Sequence, residues 1–182
     1  ASVNPARPGE PGSLPSDDVL HGLLVRLEPF QREHVPALEE IAFGHPDVFR
    51  LTSTPSDEAQ ANAYFGRALR QRAEGTAHPV TVVQKSSGEV VGMSRLSEVD
   101  FSHRRCELGF SWYHPRLFRS GVNLDAKLLL LTFAFERLQL HRVQIHTDTR
   151  NLRSQRAIEA LGARQEGVLR RHQVASDGYV RD

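Results

Sequence analysis

The sequence predicts one α+β domain, and three observations carry that reading. Segments of alternating polar and apolar residues are interspersed with segments of helical spacing; two of the alternating segments flank a turn and read as an antiparallel hairpin. At 182 residues the chain is the size of one ordinary domain with a single hydrophobic core. Its 39% hydrophobic and 25% charged residues are the balance of a folded globular protein.

Residues 1–21, rich in Pro, Gly and Ser, hold almost nothing that can be buried and are expected to be a flexible tail; the domain is expected over 22–182. Residues 23–27 predict a short strand. A helix over 31–43 follows, with Val35, Leu38, Ile41 and Ala42 at helical spacing. Ser56 is positioned to cap a second helix over 57–73, with Asp57 and Glu58 where the helix dipole favours carboxylates and Gly75 just past its end. Residues 79–85 and 90–96 predict the two arms of the hairpin, joined by Ser86-Ser87-Gly88-Glu89. Cys106, Leu108, Phe110 and Trp112 then alternate with Glu107, Gly109, Ser111 and Tyr113, predicting a strand with one packing face and one face free for chemistry.

A helix over 122–138 is apolar around much of its circumference (Leu124, Leu128, Leu131, Phe135, Leu138) and is expected to be central and covered on several sides. Residues 141–149 predict another strand. Asn151 is the expected cap of a helix running through Leu161 and ended by Gly162, and residues 164–174 with Ser176-Asp177-Gly178 open a last hairpin. The chain ends at Asp182, where a further strand would be expected after Gly178-Tyr179-Val180; an edge left unpaired there would favour a homodimer.

The formal charge of +1 supplies no field for steering to nucleic acid or an anionic membrane, so any anion site must be local. Arg104-Arg105 and Arg170-Arg171 read as solvated rims able to help hold an acidic substrate segment. A lone cysteine, Cys106, rules out an internal disulfide and fits a cytoplasmic home. No apolar run reaches bilayer length and the N-terminus lacks a signal-peptide profile, so no membrane role is expected. The nine histidines are scattered; His141 and His146 are expected on opposite faces of one strand, and no metal is expected. Neither a P-loop nor a dinucleotide glycine motif is present.

Two segments carry chemistry. In Trp112-Tyr113-His114-Pro115-Arg116-Leu117-Phe118-Arg119-Ser120-Gly121-Val122-Asn123 a strand end leads through a loop into a helix start, where free N–H groups and the helix dipole can cradle a pyrophosphate. Gly121 permits close approach, and Arg116 and Arg119 can add charge-assisted bonds. In the second, Asn151-Leu152-Arg153-Ser154-Gln155-Arg156, a strand end passes into a capped helix that closes at Leu161-Gly162-Ala163. Either segment alone is equally a plain loop with solvated arginines or a capped surface helix.

Together the two segments resemble the GNAT acyltransferase superfamily, and within it the ribosomal-protein N-terminal acetyltransferase (RimJ/RimL) type, over about residues 22–182. The resemblance implies the GNAT fold: a mixed, mostly antiparallel twisted sheet, splayed at its centre, with helices on both faces. It implies acetyl-CoA as co-substrate, its pantetheine arm lying along the strand that ends at Trp112 and Tyr113. Its other contacts would be Arg116, Arg119, Ser120, Gly121, Val122, Asn123, Asn151, Ser154 and Arg156. The acetyl group would pass directly to a primary amine, either a protein or peptide N-terminus or a small molecule. Glu107 matches a glutamate of this branch and would take the amine's proton through a water; Ser154 matches the Asn-x-x-Ser serine and would lie near the cofactor sulfur. The tyrosine that many relatives carry seven residues after the Asn is Ile158 here; a loop glycine of relatives is Arg119, and a further Gly or Ala is Asn123. The acceptor pocket would be built from the region of Phe43 to Tyr64 and from the last hairpin. Two other classes stay open at this point: a catalytically silent acyl-CoA-binding module, and an RNA- or ribosome-associated protein using its arginine clusters.

Overall fold

The computed structural model of the chain describes residue 14, residues 17–175 and residues 178–182. Its sheet has the order β1-β2-β3-β4-β5-β6, formed by β1 (Leu20–His21), β2 (Val25–Pro29), β3 (His78–Gln84), β4 (Val90–Asp100), β5 (Arg105–Tyr113) and β6 (Arg142–Gln144). Every neighbouring pair is antiparallel except β5 and β6, which are parallel. This is the mixed, mostly antiparallel sheet that the resemblance implies.

Helices cover both faces, because each face of the sheet is apolar. On one side α4 (Val122–Thr132), continued by a π turn over Phe133–Arg137, sets Val122, Ala126, Leu130 and Phe133 against Val25, Leu27, Val80, Val82, Leu96 and Leu108. On the other, α1 (Val35–Gly44), α2 (Pro46–Phe49) and α3 (Glu58–Ala73) bring Leu38, Ile41, Phe49, Ala61 and Phe65 onto Met93 and Trp112. Then α5 (Leu152–Glu159) follows β6, and β7 (Gln173–Val174) pairs with β8 (Val180–Arg181) in a separate two-stranded ribbon.

Several expectations are corrected. Most of the predicted tail lies outside the described residues, but Leu20–His21 within it is strand β1, paired to Arg26 and Leu27. Helix α3 is capped by Asp57, whose carboxylate accepts from the Gln60 N–H at 2.8 Å, and not by Ser56. The strand expected over 141–149 holds only three residues, so His146 lies beyond its end and the opposite-faces argument for the histidines does not apply. Of the last hairpin, Ser176 and Asp177 lie outside the described residues, and β7 begins only at Gln173.

Helix α4 is not covered on several sides: Leu124 is 54% and Leu128 58% exposed, while Val122, Ala126, Lys127 and Leu130 are buried. A single sheet face can bury only one side of a helix. The even-numbered face of β5 is not continuous either. Met93 is opposite Trp112 and Arg95 opposite Gly109, so Phe110 and Ser111 bulge against Ser94 alone, with Phe110 at φ 54°. One extra residue reverses the side on which everything beyond it points. Cys106 and Leu108 therefore face α4 with Tyr113, whereas Trp112 faces α1 and α3.

Candidate functional site

β5 and β6 pair only at Arg105↔Arg142, Cys106↔Val143 and Glu107↔Gln144. Beyond Glu107 the strands part, and the β5 backbone from Leu108 to Tyr113 keeps its β4 partner but has no strand on its other side. Strand edges of this kind leave N–H and C=O groups for a ligand. A cavity of about 960 Å³ fills the opening, lined by β5, by residues 145–147 just past β6, by the loop before α4 and by α5. That size suits a cofactor-scale molecule.

At one end of the cavity stands the N-terminus of α4. Gly121 is its cap at φ 90°, a left-handed conformation that only glycine adopts cheaply. Asn123 and Leu124 have no hydrogen-bond partner for their N–H groups among the described residues, so two amides at the positive end of the helix dipole are free to bind an anion. Asp125, also in the first turn, is turned to a different task. Its carboxylate accepts from the Leu23, Leu24 and Val25 N–H groups at 3.2, 2.8 and 3.0 Å, tying the start of β2 to the loop. A Cβ on Gly22 would collide with that carboxylate.

The sequence-predicted residues divide by position. Glu107, Trp112, Tyr113, Arg119, Gly121, Asn123, Asn151, Ser154 and Arg156 all line the cavity. Arg116 instead donates to Glu89 Oε2 at 2.6 Å, Ser120 Oγ donates to the Leu117 carbonyl, and Val122 is packed into the core, so these three are not on its wall. Asn151 caps α5 by accepting from the Ser154 N–H at 3.1 Å, which places Ser154 on the cavity side of the first turn.

At the closed end of the opening, where the two strands begin to part, lies Glu107. Burial raises the pKa of its carboxyl, Glu98 adds to the rise, and His146, whose Nδ1 is 3.5 Å from Glu107 Oε2, draws it partly back. A carboxylate made more basic in this way is better suited to accept a proton. The adjacent Cys106 thiol is pushed up to about 12 by burial and is inert as a nucleophile near neutral pH.

Four features were not read from the sequence. Lys127 lines the cavity from α4 while only 5% exposed, and burial pushes its pKa down to about 8. The Tyr113 hydroxyl, also on the wall, is buried without a hydrogen-bond partner among the described residues. Arg153 stacks its guanidinium 4.3 Å from the Phe118 ring at the rim. A second cavity, of about 460 Å³, adjoins the first across Phe110 and is lined by residues 50–55, Tyr64 and the β7–β8 ribbon. The helical position of Lys127 among leucines was the one available signal for the first feature; the other three depend on the bulge and on loop paths.

The acetyltransferase (GNAT) domain family matches residues 25–164. The chain belongs to the GNAT acetyltransferase family. Among similar proteins, the uncharacterized N-acetyltransferase p20 of Bacillus licheniformis is 26% identical over 137 residues, 74% of this chain and 76% of its own. YdaF of Bacillus subtilis (strain 168), whose name assigns it to the ribosomal N-acetyltransferases, is 34% identical over 83 residues, 46% of this chain and 45% of its own. The crystal structure of a GCN5-related N-acetyltransferase from Brucella melitensis superposes with a TM-score of 0.79 at 25% identity, covering 92% of this chain and 76% of that one. The family match and these likenesses bear out the GNAT fold and make the protein an acetyl-CoA-dependent N-acetyltransferase. No helix among the described residues is long and apolar enough to cross a membrane.

Proposed function

We propose that this GNAT acetyltransferase moves the acetyl group of acetyl-CoA directly to a primary amine, either a peptide N-terminus or a small molecule, that enters through the second cavity. The observation carrying this reading is the continuity of one cavity from the free amides of α4 to the unpaired edge of β5 and on to Glu107. Asn123 and Leu124 N–H groups, with Arg119 and Arg156, would hold the pyrophosphate, and the edge of β5 from Leu108 to Tyr113 would hold the pantetheine amides. The Tyr113 hydroxyl, without a hydrogen-bond partner among the described residues, and the buried Lys127 ammonium suit the polar atoms of such a chain.

Acetyl-CoA supplies an activated thioester. Glu107, directly or through a water, takes a proton from the acceptor so that the free amine attacks, with a β5 backbone N–H near the bulge facing the developing oxyanion. As the C–N bond forms and the C–S bond breaks, the nitrogen's surplus proton would pass through a water to the departing thiolate, which Ser154 would steady with a hydrogen bond. Amine-dependent release of CoA, followed with a thiol reagent, tests the assignment: Glu107→Gln is expected to lower kcat/KM by roughly 10²–10⁴-fold. A variant with unchanged rate and unchanged pH profile would remove Glu107 from the role. Acetyl-CoA binding without release in the presence of any amine would favour the silent module.

The buried, unpaired Cys106 supports a reducing, cytoplasmic setting. The three-residue edge strand β6 gives a second copy a place to pair, which supports a homodimer that sedimentation would detect.

A further inference from the structure

The second cavity has an unusual charge. Among the described residues Arg50, Arg67, Arg95, Arg150 and Arg181 line it, against a single carboxylate, Asp148. Asp148 is already engaged, accepting from Arg150 Nε and Nη2 at 2.9 and 2.7 Å. Arg181 also lines the first cavity and feels Glu107 and Asp148, whereas Arg67 and Arg95 make no ion pair among the described residues.

Arg95 makes this more than a solvated rim. It is 1% exposed, rises from the middle of β4, and has one hydrogen bond, from Nη1 to Gln71 Oε1 at 2.9 Å. Its Nε and Nη2, the two donors of one edge of the fork, are buried with no partner among the described residues. Its guanidinium carbon is 4.3 Å from the Phe110 ring centroid and 5.3 Å from that of Tyr64, so aromatic faces cushion the charge without neutralising it. Tyr64 itself is a neutral phenol, raised by burial and accepting from Trp112 Nε1 at 3.0 Å. Arg67, on the exposed side of α3, is near enough to Arg95 for the two cations to repel. Like charges held together at the floor and mouth of one cavity in a low-dielectric setting are unfavourable until an anion joins them. Phe110, between Arg95 and the opening, sits on the bulge that separates this cavity from Glu107's.

We infer that the acceptor of this acetyltransferase is an amine that carries a carboxylate, bound in the second cavity by Arg67 and Arg181 over the buried charge of Arg95. This rests on the reading of that cavity as the acceptor's entrance. The carboxylate belongs either to an amino acid or to an acidic residue near a peptide's N-terminus; a polyamine meets repulsion in the same place.

Binding of acetylated products to the CoA-loaded protein, measured by calorimetry, separates these cases. The probes are N-acetylalanine against its α-carboxamide, the amide of N-acetyl-Ser-Glu against that of N-acetyl-Ser-Gln, and N-acetylspermine. In at least one pair the carboxylate form is expected to bind about tenfold or more tighter than its carboxamide twin, as a charge-assisted contact implies. Which pair shows it identifies the source of the carboxylate. The preference should weaken with added salt and collapse in Arg67→Gln, whose exposed position on α3 spares the fold even where Arg95→Met does not fold. Equal affinities within both pairs, tighter binding of N-acetylspermine, or a preference that survives both Arg67→Gln and Arg181→Gln would overturn the inference. Failure here is distinct from failure of acetyl transfer: CoA release with any amine keeps the enzyme reading while the carboxylate preference falls. Product discrimination without any CoA release condemns the transfer and leaves the cavity's selectivity standing. Should CoA not bind, the same pairs are measured on the free protein.

Discussion

Replacing Lys127 by Met tests whether a charge is truly held inside the cofactor cavity. Lys127 sits on α4 at 5% exposure, and burial moves its pKa from the usual 10.5 to about 8. At about 1.36 kcal/mol per pH unit, that gap of about 2.5 corresponds to roughly 3 kcal/mol of destabilisation whenever the amine is charged in both folded and unfolded chains. Below pH 8 the full cost is present. Between pH 8 and 10.5 the unfolded chain binds more protons than the folded one, so stability rises with pH across that window and levels off above it. Met has similar length and no charge, so Lys127→Met should be more stable by about 3 kcal/mol at pH 7 and should lose the rise between pH 8 and 10.5. Urea unfolding followed by circular dichroism at pH 7, 8, 9 and 10, without CoA, measures both quantities. A variant less stable than the parent at pH 7, or one that keeps the same slope, would refute the reasoning. The same substitution is expected to raise KM for acetyl-CoA, because it removes a cation from the cavity wall.

Asp125→Ala leaves three backbone amides at the start of β2 without their acceptor and should cost about 2–4 kcal/mol in denaturant unfolding. Asp125→Asn, which keeps one acceptor oxygen, should recover part of that. For Glu107, whose carboxyl burial raises, kcat/KM is expected to climb with pH through a midpoint above the ordinary glutamate range, and that limb should vanish in Glu107→Gln. Ser154→Ala should lose only a few-fold in kcat, since a thiolate with a pKa of about 8.5 is a fair leaving group unaided; stopped-time CoA release gives the number.

The sequence made the sheet and its order of elements legible because alternation and helical spacing are local, and the hairpin of β3 and β4 formed where its turn residues placed it. The cap at Asn151 and the glycine at Gly121 were equally legible, each being a one-residue backbone requirement. Long-range consequences were hidden. The bulge at Phe110 and Ser111 carries no composition signal, yet it exchanges the faces taken by Trp112 and Tyr113. Arg116 looked like a phosphate ligand by spacing, and only the fold brings Glu89 against it. The leucines of α4 suggested burial all round, whereas one sheet face covers one side and leaves Leu124 and Leu128 in solvent. Arg95 is a charge in mid-strand, but that it lines a second cavity depends on the bulge and on loop paths.

Titration of acetyl-CoA into the folded protein, alongside Gly121→Val, bears most directly on the claim that the α4 N-terminus and the parted β5–β6 edge hold the cofactor. The account predicts one site per chain, and an affinity at least about tenfold weaker in the variant, because valine cannot take φ 90° cheaply and its side chain crowds Leu24. Undiminished affinity in a folded Gly121→Val, or no heat at all from the parent protein, would contradict it.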